Sequence, residues 1–314
     1  MLQDILWVEK YRPKKIDDVI LPKDLKETFI KFVEQKEIPN LILSGGSGVG
    51  KTTIARAMLE ELNANYIVIN GSLHGNIDTL RNDIQNFAST MSFTGDRKYV
   101  ILDEGDYLNA QSTQPALRNF MEEFSSNCGF IITCNFLNRI IKPLHSRCSV
   151  INFTIQSKQK AKLALNFLNR LKNILSSENI SYNEKVLAQL IMKFFPDWRR
   201  VLNECQRHSY SGSITDEILN NVKDISLDSL VKAMKEKNFS SMRKWVSENL
   251  DNDVNEIFKN LYEKFIKNIK PNSVPQFILH LAKYQYQSAF VADQEVNIVA
   301  LLTEVMADCE VINE

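Results

Sequence analysis

Residues Gly45-Gly46-Ser47-Gly48-Val49-Gly50-Lys51-Thr52 place Gly45, Gly50, Lys51 and Thr52 at the G-x-x-x-x-G-K-[ST] spacing of a phosphate-binding loop. Glycines let consecutive backbone N–H groups turn toward one anion, and a helix beginning at the loop adds partial positive charge. The Lys51 ammonium can then neutralise β- and γ-phosphate charge. The Thr52 hydroxyl can hold Mg²⁺. Such a site needs acids from a second strand. Tyr99-Val100-Ile101-Leu102-Asp103-Glu104 supplies four apolar or aromatic residues ending in a carboxylate pair, about fifty residues after the loop. Asp103 fits the Mg²⁺ shell, and Glu104 fits the role of orienting and deprotonating an attacking water.

Three further polar residues stand at element ends. Asn135 closes the apolar run 130–134, where an amide either holds a water or γ-phosphate or forms an Asx turn. Arg147, in Ser146-Arg147-Cys148, reads by itself as a solvated side chain. Arg199 follows Pro196-Asp197-Trp198 at a helix start. It is either an exposed helix arginine or one that reaches across a cleft to phosphates.

These residues require particular elements around them. Residues 40–44 read as a buried strand and 53–62 as a helix, so the loop joins strand to helix. Further strands are expected over 66–70, 98–103, 129–134 and 149–153, and helices over 23–36, 77–88 and 112–124. Five strands alternating with helices predict a parallel sheet covered on both faces. After residue 153 the strands stop. Amphipathic helices are expected over 157–175, 184–195 and 197–208, with Pro196 as the break between the last two. A Ser/Gly-rich break covers 209–213, and from about 226 the chain reads as helical, with Pro271 and Pro275 marking a helix start. The expected organisation is therefore an α/β nucleotide-binding domain over 1–153, a helical domain over 154–225 and a second helical domain over 226–314.

Bulk composition narrows the class. The 314 residues exceed what one core usually supports, and equal totals of 38 basic and 38 acidic residues give zero formal net charge. Any nucleic-acid surface must then be a local feature. No apolar stretch reaches membrane-span length, and Met1-Leu2-Gln3-Asp4 lacks the basic-then-apolar pattern of a signal peptide. The five cysteines are widely spaced without a C-x-x-C pair, which argues for reduced thiols rather than disulfides or zinc. Cys128 and Cys134 read as buried small residues. The four histidines show no metal spacing.

Trp7-Val8-Glu9-Lys10-Tyr11-Arg12-Pro13 resembles the N-terminal signature of clamp-loader ATPases of the replication factor C type. These are AAA+ proteins that open ring-shaped sliding clamps and place them on primed DNA. The following motifs match in order: the phosphate-binding loop, Asp103-Glu104-Gly105-Asp106, Gln114-x-x-Leu117-Arg118-x-x-Met121-Glu122, Asn135, Ser146-Arg147-Cys148 and Asp197-Trp198-Arg199-Arg200. Within the family the chain is most similar to the large subunit of tailed-phage loaders. Ser44-Gly45-Gly46-Ser47-Gly48-Val49-Gly50 replaces the Gly-Pro-Pro-Gly-Thr-Gly common in cellular small subunits, and Gly105 stands where Ala or Cys is usual. The zinc insert of bacterial loaders is absent.

The resemblance implies an AAA+ fold with a five-stranded parallel sheet, a helical lid and an all-α C-terminal collar. It implies ATP and Mg²⁺ as cofactors, with Thr52 and Asp103 at the metal. Val8, Glu9, Lys10, Tyr11 and Ile20 would wrap adenine and ribose. Gly48, Val49, Gly50, Lys51, Thr52 and Thr53 would cradle the phosphates. Asn135 would be sensor one, Arg199 sensor two, and Arg147 an arginine finger acting in trans on a neighbouring subunit's ATP. Implied partners are a sliding clamp, primer-template DNA, a loader small subunit and further copies of this chain, four in a five-membered spiral. Asn76, Arg81 and Gln114, at two helix starts, are the expected phosphate contacts on DNA, and residues 91–93 an expected clamp contact. The implied location is a cytoplasm, that of the host if the chain is phage-encoded. Rival readings are another AAA+ DNA motor (branch-migration helicase or replication initiator), a scaffold subunit without productive ATP binding, and a small-molecule P-loop kinase. Intact Lys51, Thr52, Asp103 and Glu104 argue against the scaffold, and Arg147 with a long helical C-terminus against the kinase.

Overall fold

A computed structural model of the chain describes residues 6–72, 77–90, 97–210, 212–220, 227–250, 254–288 and 290–312. The chain forms two compact units, Met1–Asn221 and Val222–Glu314.

The first unit is built on five parallel strands: β1 (Leu41–Ser44), β2 (Tyr66–Asn70), β3 (Lys98–Asp103), β4 (Cys128–Cys134) and β5 (Ser149–Asn152). Their order across the sheet is β2-β3-β4-β1-β5. All of β1 and β4 is buried, which explains why they read as unbroken apolar runs. Side chains still alternate between two cores. Leu41, Leu43, Tyr99, Ile101 and Ile131 pack on one face with Phe29, Ile54 and Met58. Ile42, Val100, Leu102, Phe130 and Ile132 pack on the other with Leu117 and Phe120. Register pairs Ser44 with Cys134 and Asn70 with Asp103. The C-terminal ends of β1, β3 and β4 therefore meet at one edge, where ligands of such sheets bind.

Helices α1 (Trp7–Lys10), α2 (Lys23–Glu34), α3 (Lys51–Glu61), α4 (Ile77–Ser89), α5 (Thr113–Glu123) and α6 (Lys142–His145) precede or alternate with the strands along the chain. Three more helices follow: α7 (Ser157–Ser177), α8 (Glu184–Phe194) and α9 (Trp198–Ser209), with the short α10 (Glu217–Asn220) after them. Each of the three starts on a polar cap: a Gln156–Gln159 capping box, Asn183 accepting from Lys185 N, and Asp197 accepting from Arg200 N. Trp198 stacks on Phe167 with centroids 4.5 Å apart, fixing α9 against α7.

The expectation that strands end at residue 153 is corrected here. Ser181–Tyr182 (β6) pairs in parallel with Ser213–Ile214 (β7). Two-residue strands carry no readable periodicity, and the Ser/Gly composition of 209–213 disguised the second one.

The second unit contains α11 (Asp228–Lys235), α12 (Phe239–Asn249), α13 (Val254–Glu263), α14 (Val274–Gln287) and α15 (Gln294–Asp308) around a core that includes Trp245, Phe258, Phe265, Phe277 and Leu301. Pro275 stands in the first turn of α14, where its missing N–H costs no helix bond. His280 ties α14 to α15, with Nδ1 2.9 Å from Glu304 and Nε2 3.0 Å from Asp308. No helix among the described residues is long and apolar enough to cross a membrane. No cluster of metal-ligating side chains occurs among them. Burial pushes the thiol of Cys128 up to about 11 and those of Cys148 and Cys205 to about 12, so these cysteines stay protonated and unreactive at neutral pH.

Phe130 lies at 0% exposure on β4, between its neighbours β1 and β3. Phe130→Ala is expected to destabilise the first unit by about 3–5 kcal/mol, read as a lowered urea midpoint.

Candidate nucleotide site

The loop after β1 delivers Lys51 to the sheet edge as the first residue of α3. Its ammonium donates to Gly45 O (2.8 Å), Gly46 O (2.7 Å) and Asn135 Oδ1 (2.9 Å). All three N–H groups are thus engaged, as burial at 8% exposure demands. Burial pushes the Lys51 pKa down, while Cys134, Asp103 and Asp106 pull it up. Asn135 comes off the end of β4, so this hydrogen bond joins the loop to the adjacent strand of the sheet.

The Thr52 hydroxyl donates to Asp103 Oδ1 at 2.6 Å, and Thr133 donates to the same oxygen at 2.6 Å. Thr52 and Asp103 thus offer two hard oxygen donors side by side, a set that suits Mg²⁺ retaining several waters. Glu104 follows in the left-handed region at φ 56, its N–H held by Thr133 Oγ1 at 3.1 Å. A non-glycine residue there carries strain that the surrounding contacts must hold. The turn aims Glu104 into a cleft of about 710 Å³ that it shares with Lys51, Asp103, Asn135 and Arg199. Asp106 accepts from the backbone N–H groups of Asn135 (3.2 Å) and Phe136 (3.1 Å), which fixes the start of that loop. Gly105 has a steric reason: a Cβ would come 2.5 Å from Ile132 Cγ2.

A second, more apolar cavity adjoins the loop. Val8, Tyr11 and Ile20, expected to act together, line it with Val49, Gly50 and Thr53. Glu9 lines the phosphate-side cleft instead and accepts from Arg12 Nε at 3.1 Å. Lys10 is a correction. Its ammonium lies 2.7 Å from Glu178 and lines neither cavity, because that carboxylate on the α7 side draws it away.

Helix α9 closes the site from the other side. Arg199 is exposed and lines both cavities. Arg200, its neighbour, lies over the Phe194 ring at 4.4 Å. Trp198 N donates to Gly48 O at 3.3 Å, and a Cβ at Gly48 (φ +67) would fall 1.8 Å from Asp197 Oδ1.

Several side chains that build the site carried no motif. Arg170 on α7 lines the apolar cavity and donates to Tyr11 O (2.8 Å) and Asp18 O (3.0 Å). The Tyr11 hydroxyl meets Ser177 Oγ at 2.9 Å and the Glu178 carboxylate. Trp7 N donates to Gln206 Oε1 at 2.9 Å. One sequence signal existed: Arg170 interrupts the apolar stripe of Phe167, Leu171 and Ile174.

Arg147 does not join the site of its own chain. It lines neither cavity, and its guanidinium is engaged by Glu122. The DNA contacts divide three ways. Arg81 is exposed on α4. Asn76, like residues 91–93, lies outside the described residues. Gln114 is corrected: it is 1% exposed, donates to Leu108 O (2.9 Å) and Arg139 O (3.0 Å), and accepts from Ile141 N (2.8 Å). An amide so spent cannot reach a phosphate; it fastens α5 to the segment leading into α6.

Comparison with known proteins agrees with this geometry. Residues 41–155 match the model of the ATPase family associated with various cellular activities (AAA). Residues 159–220 match the sliding-clamp-loader large subunit, AAA+ ATPase lid domain. The chain is 33% identical to the sliding-clamp-loader large subunit of Enterobacteria phage T4, covering 96% of both proteins. It is 38% identical to that of Escherichia phage RB69 over 75% of each. It is 30% identical to the replication factor C small subunit of Sulfurisphaera tokodaii, over 96% of this chain and 95% of the relative. Among solved structures, a Thermotoga maritima RuvB variant superposes with a TM-score of 0.56 over 94% of this chain and 90% of the other, at 16% identity, a likeness of fold alone.

Gly48→Ala is expected to weaken binding of a fluorescent ATP analogue by about tenfold or more, since it adds a left-handed strain and a clash together. Gln114→Ala strips partners from one buried N–H and two carbonyls and should cost about 1–3 kcal/mol in a denaturation assay.

Proposed function

The chain belongs to the sliding-clamp-loader family of AAA ATPases, and from that premise we propose that it is the ATP-driven motor subunit of a loader. In this reading it opens a ring-shaped polymerase clamp, places it on primer-template DNA and releases it on hydrolysis. The domains are then a nucleotide domain over 1–153, a lid over 154–225 and an oligomerising collar over 226–314.

The observation that carries the proposal is the division of the hydrolytic groups. Lys51, Thr52, Asp103, Glu104, Asn135 and Arg199 surround one cleft, and Arg147 stands apart from it. Set apart from its own chain's cleft, Arg147 is free to serve a neighbour's site in trans. Val8, Tyr11 and Ile20 hold the base. Triphosphate oxygens replace the carbonyls of Gly45 and Gly46 on the Lys51 ammonium. Mg²⁺, held by Thr52 and Asp103, supplies charge neutralisation of the phosphates when bound. Glu104 takes the proton of the attacking water, and Asn135 orients that water or the γ-phosphate. Arg199 reports the γ-phosphate to the lid through α9. Water attacks the γ-phosphorus, the bond to the β-phosphate oxygen breaks, and ADP and phosphate leave.

The partners of this reading are a clamp, a loader small subunit, primer-template DNA and further copies of the chain, four in a five-membered spiral, acting in a cytoplasm, that of the host if the chain is phage-encoded. Exposed Arg81 on α4, together with Asn76 before it, are the proposed backbone contacts. The fold likeness to RuvB leaves a branch-migration motor as a rival on fold alone. Matches to the clamp-loader lid model and to near full-length loader subunits favour the loader.

The purified chain should hydrolyse ATP slowly alone. Its rate should rise by about two orders of magnitude or more when small subunit, clamp and primed DNA are added, since a trans finger is worth about 10³–10⁵. Turnover indifferent to clamp and DNA would overturn the loader reading. Mixed oligomers of Arg147→Ala and Glu104→Gln chains should recover activity that neither variant has alone; no recovery would place Arg147 in cis.

A further inference from the structure

We infer that Glu122 is a positioning residue for Arg147: its carboxylate holds one edge of the guanidinium so that the other edge faces a neighbouring subunit's γ-phosphate. This deepens the proposed function and rests on Arg147 acting in trans.

Guanidinium has five N–H donors in a fixed plane. Nε and Nη2 both donate to Glu122 Oε1, the former at 2.8 Å, which uses the side edge. Nη1 donates to Pro143 O at 3.0 Å, with a longer approach of 3.4 Å to Ser146 Oγ. These contacts leave the second Nη2 N–H, on the terminal edge between Nη1 and Nη2, for a phosphate oxygen.

The location of Glu122 supports the same conclusion. It sits in the last turn of α5, where a carboxylate meets the negative end of the helix and gains nothing from it. Its compensation is Arg147, which holds the Glu122 carboxyl below the usual carboxylate range. The mount is rigid. Leu117, Phe120 and Met121 bury the inner face of α5. Gln114, through Ile141 N, binds that helix to the segment opening α6, and Arg147 follows α6 directly. The carboxylate and the arginine backbone are thus fixed to one another before any neighbour arrives. A long flexible side chain that is already oriented loses less freedom on meeting phosphate.

The test uses the complete loader with clamp and primed DNA, with kcat and KM for ATP measured separately. Glu122 is exposed, so Glu122→Gln should fold normally. It should lower kcat by about three- to tenfold with KM unchanged, less than the loss from Arg147→Ala, because the finger remains but is no longer aimed. The Glu122→Gln/Arg147→Ala double variant should be no slower than Arg147→Ala alone. An unchanged or faster Glu122→Gln enzyme, or a loss that multiplies with that of Arg147→Ala, overturns the positioning role and leaves the trans finger standing. Wild-type turnover in Arg147→Ala would instead remove the finger reading, and this inference with it.

Discussion

One carboxylate oxygen, Oδ1 of Asp103, accepts hydroxyl hydrogens from Thr52 on the phosphate-binding loop and from Thr133 on β4. That shared acceptor locks three strand ends into one edge. β3 provides the acid, β4 the flanking threonine, and β1 the loop that carries the other threonine. Lys51 repeats the pattern with opposite charge, joining the same loop to Asn135. The sheet order makes this feasible, because β4 lies between β1 and β3 and all three run parallel. Were β4 antiparallel to its two neighbours, its C-terminal end would lie at the opposite edge, and Thr133 and Asn135 could not reach the acid and the loop.

The apolar face of the site depends on a different logic. Its walls come from an N-terminal segment that adds no strand to the sheet, and that segment is held by groups on α7 and α9. Arg170 grips its carbonyls, Glu178 meets Tyr11 and Lys10, and Gln206 accepts from Trp7. A half-buried arginine that bonds to neutral carbonyls is costly to desolvate, and burial pulls its pKa down accordingly. The apolar cavity is therefore a joint product of the two halves of the first unit.

What could be read from sequence follows from how local each signal is. The loop, the acidic pair and the five strands were legible because each is a contiguous pattern with a fixed period or spacing. The two-stranded β6–β7 pair was not, since its partners lie far apart and are too short for periodicity. Gln114 misled because a polar residue at a helix start normally faces water; only the fold reveals the two carbonyls and the N–H waiting for it. Lys10 misled through its place in a motif whose side chains diverge around a single helical turn. Arg170 was visible in principle as a charge inside an apolar stripe, yet its partners are backbone atoms without a sequence signature.

The contact between Gly48 and the start of α9 has a mechanical consequence. Helix α9 has 12 residues, so it is a rod about 18 Å long. Its near end rests on the phosphate-binding loop through Trp198, and near its far end Gln206 holds Trp7. A tilt of about 5° at the loop would move the far end by about 1.5 Å, half a hydrogen-bond length. Loop, rod and N-terminal segment thus form a closed linkage around the cleft. A disturbance at the phosphate-binding loop is passed to the N-terminal segment by leverage, without any side chain spanning the distance.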